Sequence, residues 1–191
     1  TTYVDYTPQT APTYTQGRVW YDSTYEALSY YNAITGNPIH TGLEIQLKVY
    51  NNTGSTIAKG AAVYLSGGAS GTTPYISLAI ATSAAASNVI GLATAAITTG
   101  SAGYVTTIGL FDGINTSTFA AGDTLYLSAS SAGALTNAAP SSPNYSVRVG
   151  FVAYVNASGR VYISKTNNYT AATSLVGVVP TANGGTNLSS F

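Results

Sequence analysis

The sequence has few of the residues on which enzymes and metalloproteins depend. It contains no cysteine and a single histidine, His40. Among 191 residues there are only six acids, which are Asp5, Asp22, Glu26, Glu44, Asp112 and Asp123. The absence of cysteine excludes disulfides, thiolate catalysis and cysteine-based metal sites, and one histidine with scattered acids cannot supply a zinc site within one chain. We therefore predict no catalytic residue, no metal site, no cofactor and no enzymatic activity.

The few candidate residues sit in sequence contexts that favour structural roles. His40 lies in a connector rich in turn residues, Asn37–Gly42, and no Gly-x-Ser-x-Gly elbow accompanies it. Asp112 and Asp123 lie at turn-like positions, where aspartate commonly bonds its own backbone. We expect a plain loop histidine and turn aspartates. A calcium ion at Asp112, or an ion held by copies of His40 or an aspartate on a trimer axis, stays open as an alternative.

Charge is also scarce, since Asp, Glu, Lys and Arg make up 6% of the chain against roughly 25% in average soluble proteins. No stretch approaches the ~20 apolar residues that a membrane helix needs, and 45% hydrophobic with 11% aromatic residues is too rich for a disordered chain. The net charge is zero and the six basic residues are scattered singly, which does not suit nucleic acid. A folded surface this poor in charge tends to associate, so we predict an oligomer, without nucleic acid or membrane insertion.

Short runs of Val, Ile, Leu, Tyr and Thr, separated by clusters of Gly, Ser, Asn and Pro, fill residues 42–165. This pattern is typical of a β-sandwich or β-barrel. We predict an all-β domain over residues 42–165 with about eight short strands. The candidate strands are Glu44–Tyr50, Ala62–Ser66, Tyr75–Ala79, Val89–Ala93, Gly103–Leu110, Thr124–Ser128, Val147–Val155 and Arg160–Ser164.

The domain also contains an internal repeat of pattern. Ile57-Ala58-Lys59-Gly60 followed by Val63-Tyr64-Leu65-Ser66 recurs as Phe119-Ala120-Ala121-Gly122 followed by Leu125-Tyr126-Leu127-Ser128. Ile90-Gly91-Leu92-Ala93 has a counterpart in Val149-Gly150-Phe151-Val152-Ala153. Two related β-units packed together would explain these pairs, whereas the alternative is that turn-and-strand patterns are repetitive in any β protein.

The two ends of the chain differ in composition from the central domain. Residues 1–41 begin with a Thr-, Tyr- and Pro-rich stretch, for which we expect an extended arm, ordered where a partner holds it. The segment Asp22–Leu28 could cap a helical turn, but its aromatic flanks favour a hairpin. Residues 166–191 form a Gly- and Asn-rich tail or linker, with one apolar stretch at Leu175–Val179, that leads towards a distal region.

Tyrosine is unusually common, with 16 copies. Its ring buries a large apolar area while the hydroxyl finds a partner, which suits interfaces between proteins. We predict an anchoring or assembly interface in the first domain. Its aromatic residues are Tyr3, Tyr6, Tyr14, Trp20, Tyr21, Tyr30 and Tyr31.

Several of these segments resemble structural proteins of bacteriophage particles. The segment Gln16–Thr24 with Ala27–Asn32 is similar to the N-terminal part of many phage fibre proteins, and Val179–Thr186 resembles a tail-fibre segment, although Asn187 stands where a glycine usually follows. Small β-barrel head-decoration proteins are similar in their Gly-x-x-Val-Tyr strands. The blocks concerned are Val49–Ile57, Gly60–Tyr64, Val89–Ala93, Gly103–Thr107 and Ala121–Leu127.

The resemblance implies a non-enzymatic structural subunit of the virion, anchored to the particle at one end. A homotrimeric tail-fibre or head-fibre protein, or its particle-attachment module, is the first hypothesis. A head-decoration (cement) protein and a carbohydrate-binding adhesin or spike domain are the alternatives. The implied partners are copies of the chain, other virion proteins of the capsid, portal or tail, and a host surface glycan contacted through a distal region.

Overall fold

The computed structural model describes residues 3–33 and 37–167, and in these ranges it contains twelve strands and no helix. The all-β prediction is therefore confirmed. The strands are β1 (Val19–Asp22), β2 (Ala27–Tyr31), β3 (Pro38–His40), β4 (Glu44–Asn51), β5 (Ala62–Ser70), β6 (Thr73–Leu78), β7 (Val89–Ala93), β8 (Ser101–Ile114), β9 (Thr124–Leu127), β10 (Leu135–Thr136), β11 (Val147–Tyr154) and β12 (Gly159–Asn167). The predicted tail lies outside the described residues beyond Asn167.

Strands β1 to β3 form a small antiparallel sheet, called the N-terminal sheet below. Its first two strands are the predicted hairpin, with Val19 opposite Tyr30 and Asp22 opposite Ala27. The arm that precedes it is bonded to this sheet, since Gln9 accepts a hydrogen bond from the Ser23 amide at 2.9 Å and donates one to the Tyr21 carbonyl. The arm is thus held at this point by its own chain.

The other nine strands belong to one sheet, and five of them close into a ring. The pairings run β4–β6, β6–β5, β5–β7, β7–β8 and β8–β4. Closure leaves these strands without free edges, which is how a barrel protects its backbone groups. Seven buried apolar side chains form the core of this ring, called the barrel below: Val49, Ile57, Val63, Ile76, Ala93, Ile97 and Val105.

The remaining strands extend the sheet from the far half of β8 through β12, β11, β9 and β10. Their inward residues make a second core with Ala62, Ala79, Ala81, Val89 and Leu92 from the first unit. The second unit contributes Phe111, Leu125, Leu127, Val147, Val149, Val152, Val161 and Ile163. Since each fully buried Val, Leu or Ile stabilises by roughly 1.5–3 kcal/mol relative to exposure, the shared core fixes the two units against each other.

The internal repeat seen in the sequence is also a repeat of geometry. Val63 of β5 pairs with Gly91 of β7, and Leu125 of β9 pairs with Gly150 of β11, each beside a register irregularity. The preceding turns match as well. The amide of Gly60 donates to the Ala93 carbonyl of β7, and the amide of Gly122 donates to the Val152 carbonyl of β11, each at 2.8 Å. Equivalent pairings at equivalent residues are what the predicted duplication requires.

Candidate functional site at the junction of the two sheets

The N-terminal sheet meets the barrel around a cavity of about 230 Å³. The chain crosses from β3 to β4 at its rim, and β8 forms its floor. Five titratable side chains line it: Tyr25, His40, Glu44, Lys59 and Asp112. Arg160 borders a neighbouring recess together with Tyr25 and Asp112. The structure thus brings together residues that the sequence places far apart.

Asp22 shapes the hairpin turn that presents Tyr25 to this cavity. Its carboxylate is buried and accepts hydrogen bonds from the amides of Thr24 at 2.9 Å and Tyr25 at 3.3 Å. The second oxygen accepts the indole N–H of Trp20 at 3.1 Å. Glu26 closes the turn in the left-handed region, with φ of 50°. The local bonding of one aspartate therefore fixes where Tyr25 lies.

His40 is the last residue of β3 and is buried, so the prediction of a plain loop histidine is wrong. Its ring stacks on Tyr25 with centroids 3.8 Å apart and planes inclined by 18°. The Nδ1 atom lies 2.8 Å from the Ser29 hydroxyl on the adjacent strand. Burial lowers the pKa of His40, Asp22 and Asp112 raise it to a lesser degree, and Arg160 lowers it further. The neutral imidazole is accordingly favoured near neutral pH.

Glu44, the first residue of β4, ties the two sheets together. Its Oε1 atom accepts the backbone N–H of His40 at 2.8 Å. Burial raises the pKa of Glu44 to about 7, nearby Asp112 raises it too, and the hydrogen bond from His40 opposes both. A carboxyl group with such a pKa changes its charge near neutral pH, as general acids and proton-linked switches do.

Asp112 and Arg160 form an ion pair across β8 and β12, where they are direct strand partners. The expectation that Asp112 occupies a turn is wrong, since it lies within β8, whereas Asp123 does bond a turn amide, that of Ala120, at 3.0 Å. The Arg160 guanidinium lies 5.1 Å from the centre of the Tyr25 ring. Although burial is the largest influence and lowers the pKa of Arg160, Asp112 and Tyr25 together raise it.

These contacts limit what the cavity can do. The Tyr25 ring already contacts His40 and Arg160, which competes with stacking on a ligand. Asp112 is paired with Arg160, whereas Glu44 has a pKa that allows it to exchange a proton near neutral pH. Within residues 3–33 and 37–167, no group of three or more His, Cys, Asp or Glu side chains could hold a metal ion.

The seven aromatic residues predicted as an assembly interface have two kinds of environment. Trp20 and Tyr31 are buried, 1% and 4% exposed, and pack on each other with centroids 4.6 Å apart. Tyr14 covers the edge of Tyr31 at 5.2 Å. Trp20 and Tyr31 are thus a buried pair in the N-terminal sheet, and Tyr14, 40% exposed, lies at its edge.

The other four predicted interface residues lie nearer the surface. Tyr3, Tyr6 and Tyr30 are exposed. Tyr21 is half-buried, and its hydroxyl donates to the Glu26 carbonyl at 2.9 Å. An interface on this side stays a prediction, with these three rings and that of Tyr14 as its exposed residues.

A second apolar surface, outside the predicted interface residues, crosses the outer face of four strands. Ile45 of β4 lies opposite Ile108 of β8, and both are exposed, by 62% and 46%. Two residues further along β8, Leu110 lies opposite Tyr162 of β12, which lies opposite Phe151 of β11. We call these five residues the outer stripe. The run Ile-Gly-Leu-Phe in β8 has no polar alternation, so the sequence did not indicate which side faces outward.

The architecture defines an all-β protein of two related β-units that carries a small N-terminal sheet over a polar cavity. Comparison with protein-family models, with curated proteins and with solved structures gave no match. No helix in the described part of the chain is long and apolar enough to cross a membrane.

Proposed function

We propose that this protein is a non-enzymatic structural subunit that assembles with copies of itself. The outer stripe is the observation that carries the proposal. Its two isoleucines and Tyr162, 47% exposed, lie on neighbouring strands of one sheet face. Leu110, which also lines the junction cavity, and Phe151 are half-buried beside them. Exposed apolar patches mark interaction sites in soluble proteins.

The energetics of covering the stripe favour self-association. Removing a large apolar side chain from water is worth roughly 1.5–3 kcal/mol when burial is complete. With only 6% charged residues and zero net charge, two copies of the chain meet little repulsion and have few charged groups to desolvate. A surface of this composition is therefore suited to a permanent contact with another copy of the chain.

The assembly we propose is a bacteriophage particle, with the protein as a trimeric fibre subunit or as the module that attaches a fibre to the particle. The resemblance of the N-terminal segment, the strand blocks and Val179–Thr186 to virion proteins supports this. Capsid, portal or tail proteins would then be its neighbours, and a distal region would contact a host glycan. A head-decoration protein is the alternative within the same class.

Sedimentation velocity of the purified chain tests the assembly itself. We expect a species of three times the 19.4 kDa of one chain at micromolar concentration. A monomer across the whole concentration range would contradict self-assembly. A stable dimer would contradict the trimeric state and leave self-assembly in place. Immunogold labelling of phage particles that carry the protein then distinguishes a label on fibres from a label on the head.

A carbohydrate-binding or carbohydrate-degrading spike domain is the second candidate, and the junction cavity favours it. Glu44 and Asp112 are electrostatically coupled there, and a carboxyl pair is the usual machinery of glycoside hydrolysis. The Arg160 partner of Asp112 and the covered Tyr25 ring count against it. Polysaccharide hydrolysis by the wild-type chain that Glu44→Gln abolishes would establish this function in place of the first.

A further inference from the structure

Polar contacts around the cavity join the N-terminal sheet to the rest of the fold, including one from the Asn32 side-chain amide to Gln46. Glu44 accepts the His40 amide, and the side-chain amide of Asn37 donates to the Thr94 carbonyl at 2.9 Å. Arg160 adds a cation–π contact to Tyr25. A polar interface with space inside it resembles the contacts between domains that move relative to each other.

Glu44 is placed so that its charge decides the strength of this attachment. It lies between β3 and the barrel, where it lines the cavity and is half-buried. Five other titratable or charged groups border the cavity or face Glu44 across it. They are Tyr25 from the β1–β2 turn, His40 from β3, Lys59 from the segment before β5, and Asp112 from β8 with its partner Arg160 from β12.

We propose that the junction is a proton-operated latch, in which neutral Glu44 holds the N-terminal sheet closed on the barrel and ionised Glu44 releases it. When the carboxyl group ionises, the closed junction confines a carboxylate close to Asp112 and away from water. Opening the junction hydrates that carboxylate at the cost of the bond from the His40 amide.

The size of the effect follows from proton linkage. If the open junction returns the pKa of Glu44 from about 7 to its ordinary 4.5, the closed-to-open ratio falls by at most ~300-fold as the pH rises through this range. His40 acts in the opposite sense, because its lowered pKa makes the closed junction bind its proton less tightly. The latch is therefore most firmly closed at mildly acidic pH and opens as the pH rises above 7.

The chain is convenient for testing the latch because it has no cysteine. Nitroxide labels on cysteines introduced at Thr24, on the hairpin turn, and Ser117, on the second β-unit, report the distance between the two parts by double electron–electron resonance. Both positions are exposed. We expect one narrow distance distribution at pH 6 and a broader or longer one at pH 8.5.

The same labels in a Glu44→Gln background provide the decisive comparison, since glutamine stays neutral and its carbonyl can still accept the His40 amide. We expect a narrow distribution at every pH in this variant, whereas the matched control Asp123→Asn, at an exposed turn away from the cavity, keeps the wild-type response. A pH-independent wild-type distribution would overturn the latch. So would a Glu44→Gln variant that opens as the wild type does.

Self-assembly needs its own measurement at the same pH values. Sedimentation under the same conditions reports self-assembly separately, so failure of one proposal is distinguishable from failure of the other.

Discussion

Gly91 and Gly150 occupy equivalent positions in the two β-units, and at each the neighbouring strand passes too close for any side chain. A Cβ on Gly91 would lie 2.0 Å from the carbonyl oxygen of Thr106, and one on Gly150 would lie 2.2 Å from that of Tyr162. Both obstacles are backbone atoms of a paired strand and cannot rotate away. Glycine is therefore required at both positions, and the two β-units share this requirement at equivalent residues.

Gly91→Ala and Gly150→Ala should each destabilise the fold by about 3 kcal/mol or more, because the strand pair must separate to admit the methyl group. Urea unfolding followed by Trp20 fluorescence and by circular dichroism measures the loss. Gly122→Ala is the control, since its Cβ would meet nothing within 4 Å and only its positive φ of 84° opposes alanine. We expect that change to cost about 1 kcal/mol. Equal effects at Gly91 and Gly122 would show that the close approach is not decisive.

Most of the strands were predictable from the sequence because their signal is local. All eight predicted strands of the domain are present, as runs of β-branched and aromatic residues between turn residues. Strands β3 and β10 were missed. Pro38 begins β3 and turn residues surround it, yet proline is compatible with the first position of a strand. Strand β10 has two residues, Leu135 and Thr136, and exists through its pairing with β9.

The candidate site was not predictable, because its members share no spacing. His40 looked like a loop residue, and its burial arises from Tyr25, which a turn formed by Asp22 places against it. The burial of Glu44 depends on how the N-terminal sheet folds back over the barrel. Asp112 and Arg160 meet only because β8 and β12 pair in one register. Such features follow from tertiary packing between residues distant in sequence, and local sequence patterns carry no information about it.

Stability should depend on pH through Glu44 in a predictable direction. Its pKa of about 7 in the folded chain exceeds the ordinary 4.5, so the folded state binds the proton more tightly, and this stabilisation is present below pH 4.5 and lost as the pH rises through 7. Glu44→Gln should therefore match the wild type in free energy of unfolding at pH 4 and exceed it above pH 8. We expect a gain of about 1 kcal/mol, reduced by the solvent that reaches the group. Urea titrations at both pH values measure this gain. If the difference in free energy of unfolding between Glu44→Gln and the wild type were the same at pH 4 and above pH 8, the raised pKa of Glu44 would be contradicted.

His40 contributes with the opposite sign. Its pKa in the folded chain lies below the ordinary 6.5, so its contribution is fully present above pH 6.5 and declines as the pH falls towards the folded-state pKa. Comparing Glu44→Gln with Glu44→Gln/His40→Gln isolates this contribution, since the first substitution removes the titration of Glu44. The single variant should lose stability between pH 7 and 5, and the double variant should not. If the free energies of unfolding of the single and double variants changed with pH in parallel, His40 would have the same pKa in the folded and unfolded chains.

Asp22 should be the most sensitive acidic residue of the N-terminal sheet. Asp22→Ala removes the partners of the Thr24 and Tyr25 amides and leaves the buried indole N–H of Trp20 unsatisfied. We expect a loss of about 2–3 kcal/mol and a red shift of Trp20 fluorescence. Asp5→Ala, at an exposed position of the arm, is the matched control and should change neither. Wild-type fluorescence and stability in Asp22→Ala would show that solvent replaces these bonds.

Two surfaces compete as the self-assembly interface, and paired substitutions separate them. Ile45→Lys/Ile108→Lys places two charges on the exposed isoleucines of the outer stripe, while Tyr3→Ser/Tyr6→Ser removes exposed rings of the arm. Because a buried unpaired charge costs several kcal/mol whereas an uncovered one costs little, the lysine variant should dissociate to monomers in sedimentation velocity and retain its fold by circular dichroism. The serine variant should keep its oligomer. The reverse result would assign assembly to the tyrosine-rich arm and leave the stripe without this role.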